Sequence, residues 1–328
     1  MARLRLPSAV YDDSMSDFLT RLGWVETLDQ GPIEVDFQDV GFYQPAALSA
    51  LLAAVNSWCR RNRTVAFINA QACPAFRYLQ RMDFFTLSGI ALPEDFKRHE
   101  ETGRFMALRR VDTALAGRVD AVCREIATCL FPKLAESDDP NRTGAFDVLE
   151  YASSELINNI IQHARGVGYV AVQRYPQKGL VCVGIADSGI GIRRSFEETA
   201  PSFWDPAMTH LDAVRTATQP RASSKAHLAA GWDGGRVNEG VGLSMLKEIA
   251  ADADGVFTLA SGTGFYQENH LQKRPYPIEI TMLHPFQGTV CSLVLPKEKL
   301  GNLQEILLNA KKRLGLLRGD TPFDNLFT

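Results

Sequence analysis

The feature that most constrains this chain is a polar stripe on a predicted helix at residues 154–164, with the sequence SELINNIIQHA. Helical spacing places Glu155, Asn159 and His163 four residues apart, so that all three lie on one face. The leucine and isoleucine residues between them fall on the remaining arc, where they can pack into a core. Taken alone, the stripe favours a solvated surface, and its meaning depends on motifs further along the chain.

Two glycine motifs follow this helix. DSGIG at residues 187–191 ends a predicted apolar strand, and alternate glycines let the backbone come close to a ligand. GVGL at residues 240–243 opens a predicted helix at 243–251, whose unpaired N–H groups offer a site for phosphate. Each motif alone also fits an ordinary turn or a flexible loop before a helix.

A third motif, Gly288-Thr289, begins a predicted strand at residues 287–296. In this order, the polar helix and the three glycine motifs resemble those of the GHKL (Bergerat-fold) ATPases, a superfamily that includes DNA gyrase, histidine kinases and anti-sigma serine kinases. The N box of that superfamily matches residues 155–164. Four ordered motifs are far more specific than any one of them, and the resemblance covers residues 111–300.

The resemblance implies a role for each matching residue. Asp187 would accept the amino hydrogen of adenine, and Thr289 would join it through water. Asn159 would hold Mg²⁺ through its carboxamide oxygen, which leaves the other positions to phosphates and water. Glu155, one turn before the metal ligand, would polarise a water molecule or a partner hydroxyl.

The glycines have implied roles as well. Gly189 and Gly191 would leave room for the nucleotide, and Gly240 and Gly242 would cradle its phosphates. Residues 199–239 would form a lid over the nucleotide, with a helix within residues 205–218. Its cations that could reach a γ-phosphate are Arg221, Lys225 and Arg236, although for any one of them an exposed, solvated charge is the better explanation.

The first region of the chain predicts a small α/β domain, because short apolar strands alternate with helices. The strands are predicted at residues 33–37, 64–69 and 105–108, and the helices at residues 46–58 and 73–82.

VDFQDVGF at residues 35–42 and YLQRMDFF at 78–85 resemble STAS domains, which include anti-anti-sigma factors. In regulatory STAS domains this turn carries a serine that becomes phosphorylated, and the turn at residues 42–47 has no serine. We therefore expect this region to act in docking or scaffolding.

Together these patterns predict two domains of α/β and α+β class. Residues 1–110 form a STAS-like regulatory or interaction domain. Residues 111–300 form a GHKL α/β sandwich, with a mixed, largely antiparallel sheet covered by helices on one face. A long amphipathic helix at residues 112–130 joins the two, and residues 301–328 form a helix end and tail.

Composition narrows the function classes. A net charge of −3 over 328 residues does not show the excess of positive charge that is typical of nucleic-acid-binding proteins. The basic run at residues 60–63 fits a solvated helix end. No stretch reaches the ~20 apolar residues that span a bilayer, and no signal peptide is predicted. The six cysteines lack metal-type spacing. We expect a reduced, cytoplasmic protein that binds ATP, Mg²⁺ and a protein partner but neither nucleic acid nor membrane. Monomer and homodimer both stay open.

Three activities remain open. The chain could hydrolyse ATP slowly and transmit lid closure to a partner, act as an anti-sigma-type serine/threonine protein kinase, or bind ATP without hydrolysis as an interaction module. The paired Glu155 and Asn159 favour the first two, because the same base and metal serve either acceptor. Histidine autokinase activity is disfavoured, since the helix at residues 112–130 contains no histidine.

Overall fold

The computed structural model describes residues 2–28, 30–90, 92–98, 100–135, 144–222 and 241–316, and within them the chain has a mixed α/β fold. The strands are β1 (Ala2–Arg5), β2 (Ala9–Val10), β3 (Ile33–Asp36), β4 (Phe42–Tyr43), β5 (Val65–Ile68), β6 (Phe105–Val111), β7 (Gly168–Tyr175), β8 (Leu180–Asp187), β9 (Val256–Asn269) and β10 (Ile278–Pro296). The helices are α1 (Met15–Glu26), α2 (Pro45–Arg60), α3 (Phe76–Arg81), α4 (Phe84–Leu87), α5 (Val119–Leu130), α6 (Pro132–Ala135), α7 (Ala145–Asn159), α8 (Ile192–Thr199), α9 (His210–Ala217), α10 (Gly242–Asp252) and α11 (Leu303–Arg313).

The first region contains a parallel sheet in the order β1-β3-β5. The predicted alternation of strand and helix is confirmed by β3, α2, β5 and α3. Strand β5, which was expected to be covered on both faces, is an edge strand with partly exposed side chains. A short apolar segment has the same sequence pattern at the edge and in the middle of a sheet, because the pattern does not depend on the number of neighbouring strands.

A second sheet is antiparallel, with the strand order β6-β7-β8-β10-β9. The predicted hairpin of β7 and β8 is confirmed. Strand β6 was predicted to be the last strand of the first region, but it pairs with β7, with Phe105 opposite Gln173. Its apolar residues would suit either sheet, so local pattern alone misplaced it.

The described helices of residues 111–300 cover one face of this second sheet, as expected for that region, and helices of the first region cover the other face. Helices α5, α7 and α10 belong to a core with Val183 and Ile185 of β8. The alternate residue Ala186 belongs instead to a core with α1 and α2 of the first region. Because successive side chains of a strand point to opposite faces, β8 lies between the two helical layers.

Two helices differ in detail from the sequence pattern. The helix predicted at residues 112–130 begins with a 3-10 turn, Thr113–Arg118, whose first N–H groups are capped by Asp112, before α5 proper. The helix that carries the polar stripe remains α-helical only to Asn159 and continues as a π-helical turn, Ile160–Ala164.

None of the helices in the described ranges is both long and apolar enough to cross a lipid bilayer.

Candidate functional site

A cavity of ≈ 470 Å³ lies between α7, α10 and the end of β8. Its wall includes residues from all four sequence motifs: Glu155, Asn159, His163, Asp187, Gly191, Gly242 and Thr289. The structure therefore brings together residues that lie up to 134 positions apart in the chain, from 155 to 289. Gly189 lies in the same loop as Asp187, and Gly240 lies outside the described residues.

The loop after β8 is held directly against the end of the polar helix. Gly189 packs so closely on the carbonyl of Ala164 that a Cβ atom would come within 2.0 Å of its oxygen. The same oxygen accepts a hydrogen bond from the N–H of Ile190, at 2.9 Å. Because the last carbonyls of a helix have no partner within it, the end of the Ile160–Ala164 turn supplies the acceptor that joins the two motifs.

Asp187 is the buried carboxylate of the cavity, with 5% of its surface exposed. Its side chain accepts hydrogen bonds from the N–H of Gly189, at 2.7 Å, and from the N–H of Thr289. Burial raises the pKa of Asp187 to about 7, and these two hydrogen bonds counteract part of that rise. The group is therefore a hydrogen-bond partner whose proton occupancy changes near neutral pH.

Ser261 of β9 joins the two loops beside Asp187, although no sequence pattern indicated it. Its hydroxyl accepts a hydrogen bond from the N–H of Ile192, at 2.9 Å, and donates to the carbonyl of Gly288, at 2.8 Å. Gly288 has φ +103°, and a Cβ atom there would come within 2.0 Å of the Asp187 carbonyl oxygen. Glycine is therefore required at the head of this motif.

Glu155 lies one turn before Asn159 and faces the start of α10. Burial raises the pKa of its carboxyl group, and a hydrogen bond from the hydroxyl of Tyr151 opposes that rise. A Cβ atom on Gly242 would come within 2.3 Å of Oε2 of Glu155. The carboxylate thus occupies the space that a side chain at position 242 would need, next to the positive end of the α10 dipole.

Asn159 has a buried side-chain nitrogen, Nδ2, without a hydrogen-bond partner among the described residues. An unsatisfied polar atom of this kind is costly and indicates a missing ligand or water. The two ends of a carboxamide are assigned rather than observed, so Asn159 can present either oxygen or nitrogen to the cavity. The part of the chain that is described has no cluster of three His, Cys, Asp or Glu side chains that could hold a metal ion.

The described part of residues 199–239, which were expected to form a lid, contains α9, and this confirms the helix predicted within residues 205–218. Arg221 is exposed, with φ +64°, and does not line the cavity, although Ala222 does. Lys225 and Arg236, the other two expected cations, lie outside the described residues.

The last helix supplies a cation that sequence reasoning missed. Lys311 of α11 lines the cavity and is its only lysine or arginine within the described ranges. Arg313 anchors this helix to α10 through Glu248 and Asp252, at 2.6 Å and 3.0 Å. Lys311 and Lys312 are both exposed, and no periodic signal distinguishes them, so the place of Lys311 could not be found from sequence. Tyr151, in contrast, could have been found from sequence, because it lies four residues before Glu155 and continues the spacing of the stripe.

No protein-family model matches the chain, and a comparison with curated proteins found no relative. The function is therefore inferred from the cavity itself.

Proposed function

We propose that this chain is a regulatory protein of the GHKL type that binds Mg-ATP in the cavity and hydrolyses it slowly. The observation that carries the proposal is the convergence of a buried carboxylate, Asp187, an unsatisfied carboxamide, Asn159, and a second carboxylate, Glu155, around one cavity. Its volume of ≈ 470 Å³ falls in the range of small-molecule sites.

Asp187 and Thr289 suit the recognition of an adenine base. Asp187 already accepts hydrogen bonds from the N–H groups of Gly189 and Thr289. An ionised carboxylate has further lone pairs, one of which would accept the adenine amino hydrogen. Since the group is buried, losing that partner would leave an acceptor unpaired, and such sites discriminate strongly against the wrong ligand.

The residues at the other end fit Mg²⁺ bound through phosphates. Asn159 would hold the ion through its carboxamide oxygen, with that oxygen taking the position assigned to the unpaired Nδ2 atom. Mg²⁺ is typically bound by one or two protein ligands plus phosphates and water, so the missing carboxylate cluster is no obstacle. The ion would supply charge neutralisation at the phosphates.

Glu155 is the proposed general base. Its raised pKa brings the carboxylate closer to the range in which it can accept a proton at neutral pH. Tyr151 fixes one side of the carboxylate by a hydrogen bond. The glycine at position 242 keeps the facing wall free of a side chain, so that the carboxylate can point into the cavity.

The first region is proposed to be a STAS-like docking domain for a protein partner. Closure of the lid at residues 199–239 over ATP would then be transmitted to that partner. We propose that the protein acts in the cytoplasm, as a monomer or as a homodimer.

Incubation with ATP labelled at the γ-phosphate tests the proposal. Free phosphate and protein-bound label are followed separately, with and without Mg²⁺. Slow Mg²⁺-dependent release of phosphate supports the ATPase. Label transferred to a serine or threonine of a protein identifies the anti-sigma-type kinase instead, and binding without either product identifies a non-hydrolysing module. Absence of ATP binding overturns all three.

A further inference from the structure

The basic run at residues 60–63 lies at the C-terminal end of α2, behind the candidate cavity. Its sequence predicted a solvated helix end. In the structure, Arg63 is buried and donates to two main-chain oxygens of the first region. Arg60 and Arg61 point the other way and contact the two loops that flank the cavity. Three of the four residues are therefore exposed, as predicted, and two of these, Arg60 and Arg61, also make contacts that the prediction did not include.

Arg60 contacts the residue that directly follows Asp187. Its Nη2 donates to the main-chain oxygen of Ser188, at 2.6 Å, and to the hydroxyl of Ser188, at 2.9 Å. The same hydroxyl lies 3.3 Å from Oδ1 of Asn56, one turn earlier on α2. The guanidinium also lowers the pKa of Asp187, against the larger effect of burial.

Arg61 forms a second tie to the same loop. It donates to Oε1 of Gln287, at 3.1 Å, and the amide nitrogen of Gln287 donates to the carbonyl of Gly189. Arg61 is itself held by an ion pair with Glu26 at the end of α1, at 2.6 Å. Arg60 therefore holds the carbonyl of Ser188 directly, and Arg61, the residue after α2, acts on the carbonyl of Gly189 through Gln287.

The contact continues along the strand that leads into this loop. At Gly184 of β8, a Cβ atom would come within 2.0 Å of the backbone nitrogen of Ala46, and the carbonyl of Gly184 accepts a hydrogen bond from Ser49. Gly184 and Ser188 thus face α2, whereas Ile185 and Asp187 line the cavity. Helix α2 and the cavity lie on opposite faces of β8, so that only this strand separates them.

We propose that the C-terminal end of α2 holds the adenine-binding loop in its binding conformation, with Arg60 as a positioning residue, and that the first region thereby regulates nucleotide affinity. This inference rests on the proposed binding of ATP. A loop that loses this tie must be ordered when the nucleotide binds, and that cost lowers affinity. Linkage makes the effect reciprocal: a protein partner that displaces α2 weakens nucleotide binding, and the nucleotide opposes that partner to the same degree.

Calorimetric titrations of the full chain with ATP and with ADP test this regulation. We expect Arg60→Ala to weaken both nucleotides by the same factor, at least about 5-fold, because the loop contacts the adenine end that they share. Arg60→Lys should recover part of the loss. The turnover number at saturating ATP should remain that of the wild type, since Arg60 does not contact Glu155, so the loss should appear in affinity alone.

Arg77→Ala is the matched control, because Arg77 is another exposed arginine of the first region, ion-paired with Asp95 at 3.2 Å. It should leave both affinities unchanged. Equal affinities in the wild type and Arg60→Ala would overturn the inference while leaving the ATP site intact. A loss for ATP but not for ADP would also overturn it, because it would place Arg60 at the phosphates. Absence of binding in the wild type would instead overturn the proposed function.

Discussion

Oε2 of Glu155 lies 2.3 Å from the position that a Cβ atom on Gly242 would take. The polar stripe of α7 and the glycine motif that opens α10 are therefore in direct contact. In sequence, these motifs are separated by almost ninety residues and each has an ordinary explanation. Their contact places a carboxylate beside unpaired N–H groups at a helix start, where phosphates are favoured.

Gly242→Ala should reduce turnover by about 10-fold or more, because the methyl group displaces the Glu155 carboxylate. Stability should change little, since the atom that must move is the end of a flexible side chain. Gly117→Ala is the control, as a Cβ atom there has no neighbour within 4 Å. Steady-state phosphate release measures the effect, and an unchanged rate in Gly242→Ala would contradict it.

Glu155→Ala should retain ATP binding and lose turnover by roughly 100-fold or more, the usual contribution of a general base. Glu155→Gln keeps the shape of the side chain and should show the same loss. Binding is measured by calorimetry and turnover by phosphate release. Normal turnover in either variant would remove Glu155 from the mechanism.

Lys311→Ala should weaken ATP more than AMP, because a cation in the cavity wall interacts with phosphate charge. Lys312→Ala provides a matched control, since both lysines are exposed but Lys312 does not line the cavity. The ratio of the two dissociation constants is the measurement. An identical ratio in the two variants would mean that Lys311 does not contact the phosphates.

The pKa of Asp187, raised by burial to about 7 from an ordinary 3.8, predicts a pH effect on stability. Between these values the folded chain binds more protons at this site than the unfolded chain, so the contribution of Asp187 to stability is lost as pH rises through 7. Asp187→Asn cannot titrate. Its free energy of unfolding relative to the wild type should therefore increase between pH 5 and pH 8, by at most ~1.4 kcal/mol per pH unit.

Denaturant titrations at several pH values measure this difference. Asp12 is another buried carboxylate, and burial raises its pKa to about 6. It is present in both proteins and cancels in the comparison. Parallel stability curves for the wild type and Asp187→Asn would contradict the raised pKa.

Local patterns predicted the elements of the site well. The spacing of Glu155 and Asn159 requires only a helix, and Asp187 requires only a strand that ends in glycine, so both could be inferred from neighbours in sequence. Most of the described helices and the hairpin of β7 and β8 followed from the same periodicities.

Contacts between distant segments could not be predicted in the same way. Strand β6 was assigned to the wrong sheet because its apolar residues do not specify a partner strand. Ser261, Lys311 and Arg60 reach the cavity or its loops only because β9, α11 and α2 pack beside them. Their local sequences look like ordinary strand and surface positions. The π-helical turn after Asn159 was also missed, because the apolar pattern continues through it as in an α-helix. Its packing against the loop at Gly189 is a contact between distant segments.

The most direct test of the central claim is a calorimetric titration of Mg-ATP into the wild type and into Asp187→Asn. Asp12→Asn serves as a control for the loss of a buried carboxylate elsewhere. We predict binding to the wild type and to Asp12→Asn, and none to Asp187→Asn. Wild-type affinity in Asp187→Asn, or a wild type that does not bind ATP, would contradict the assignment of this cavity as an adenine nucleotide site.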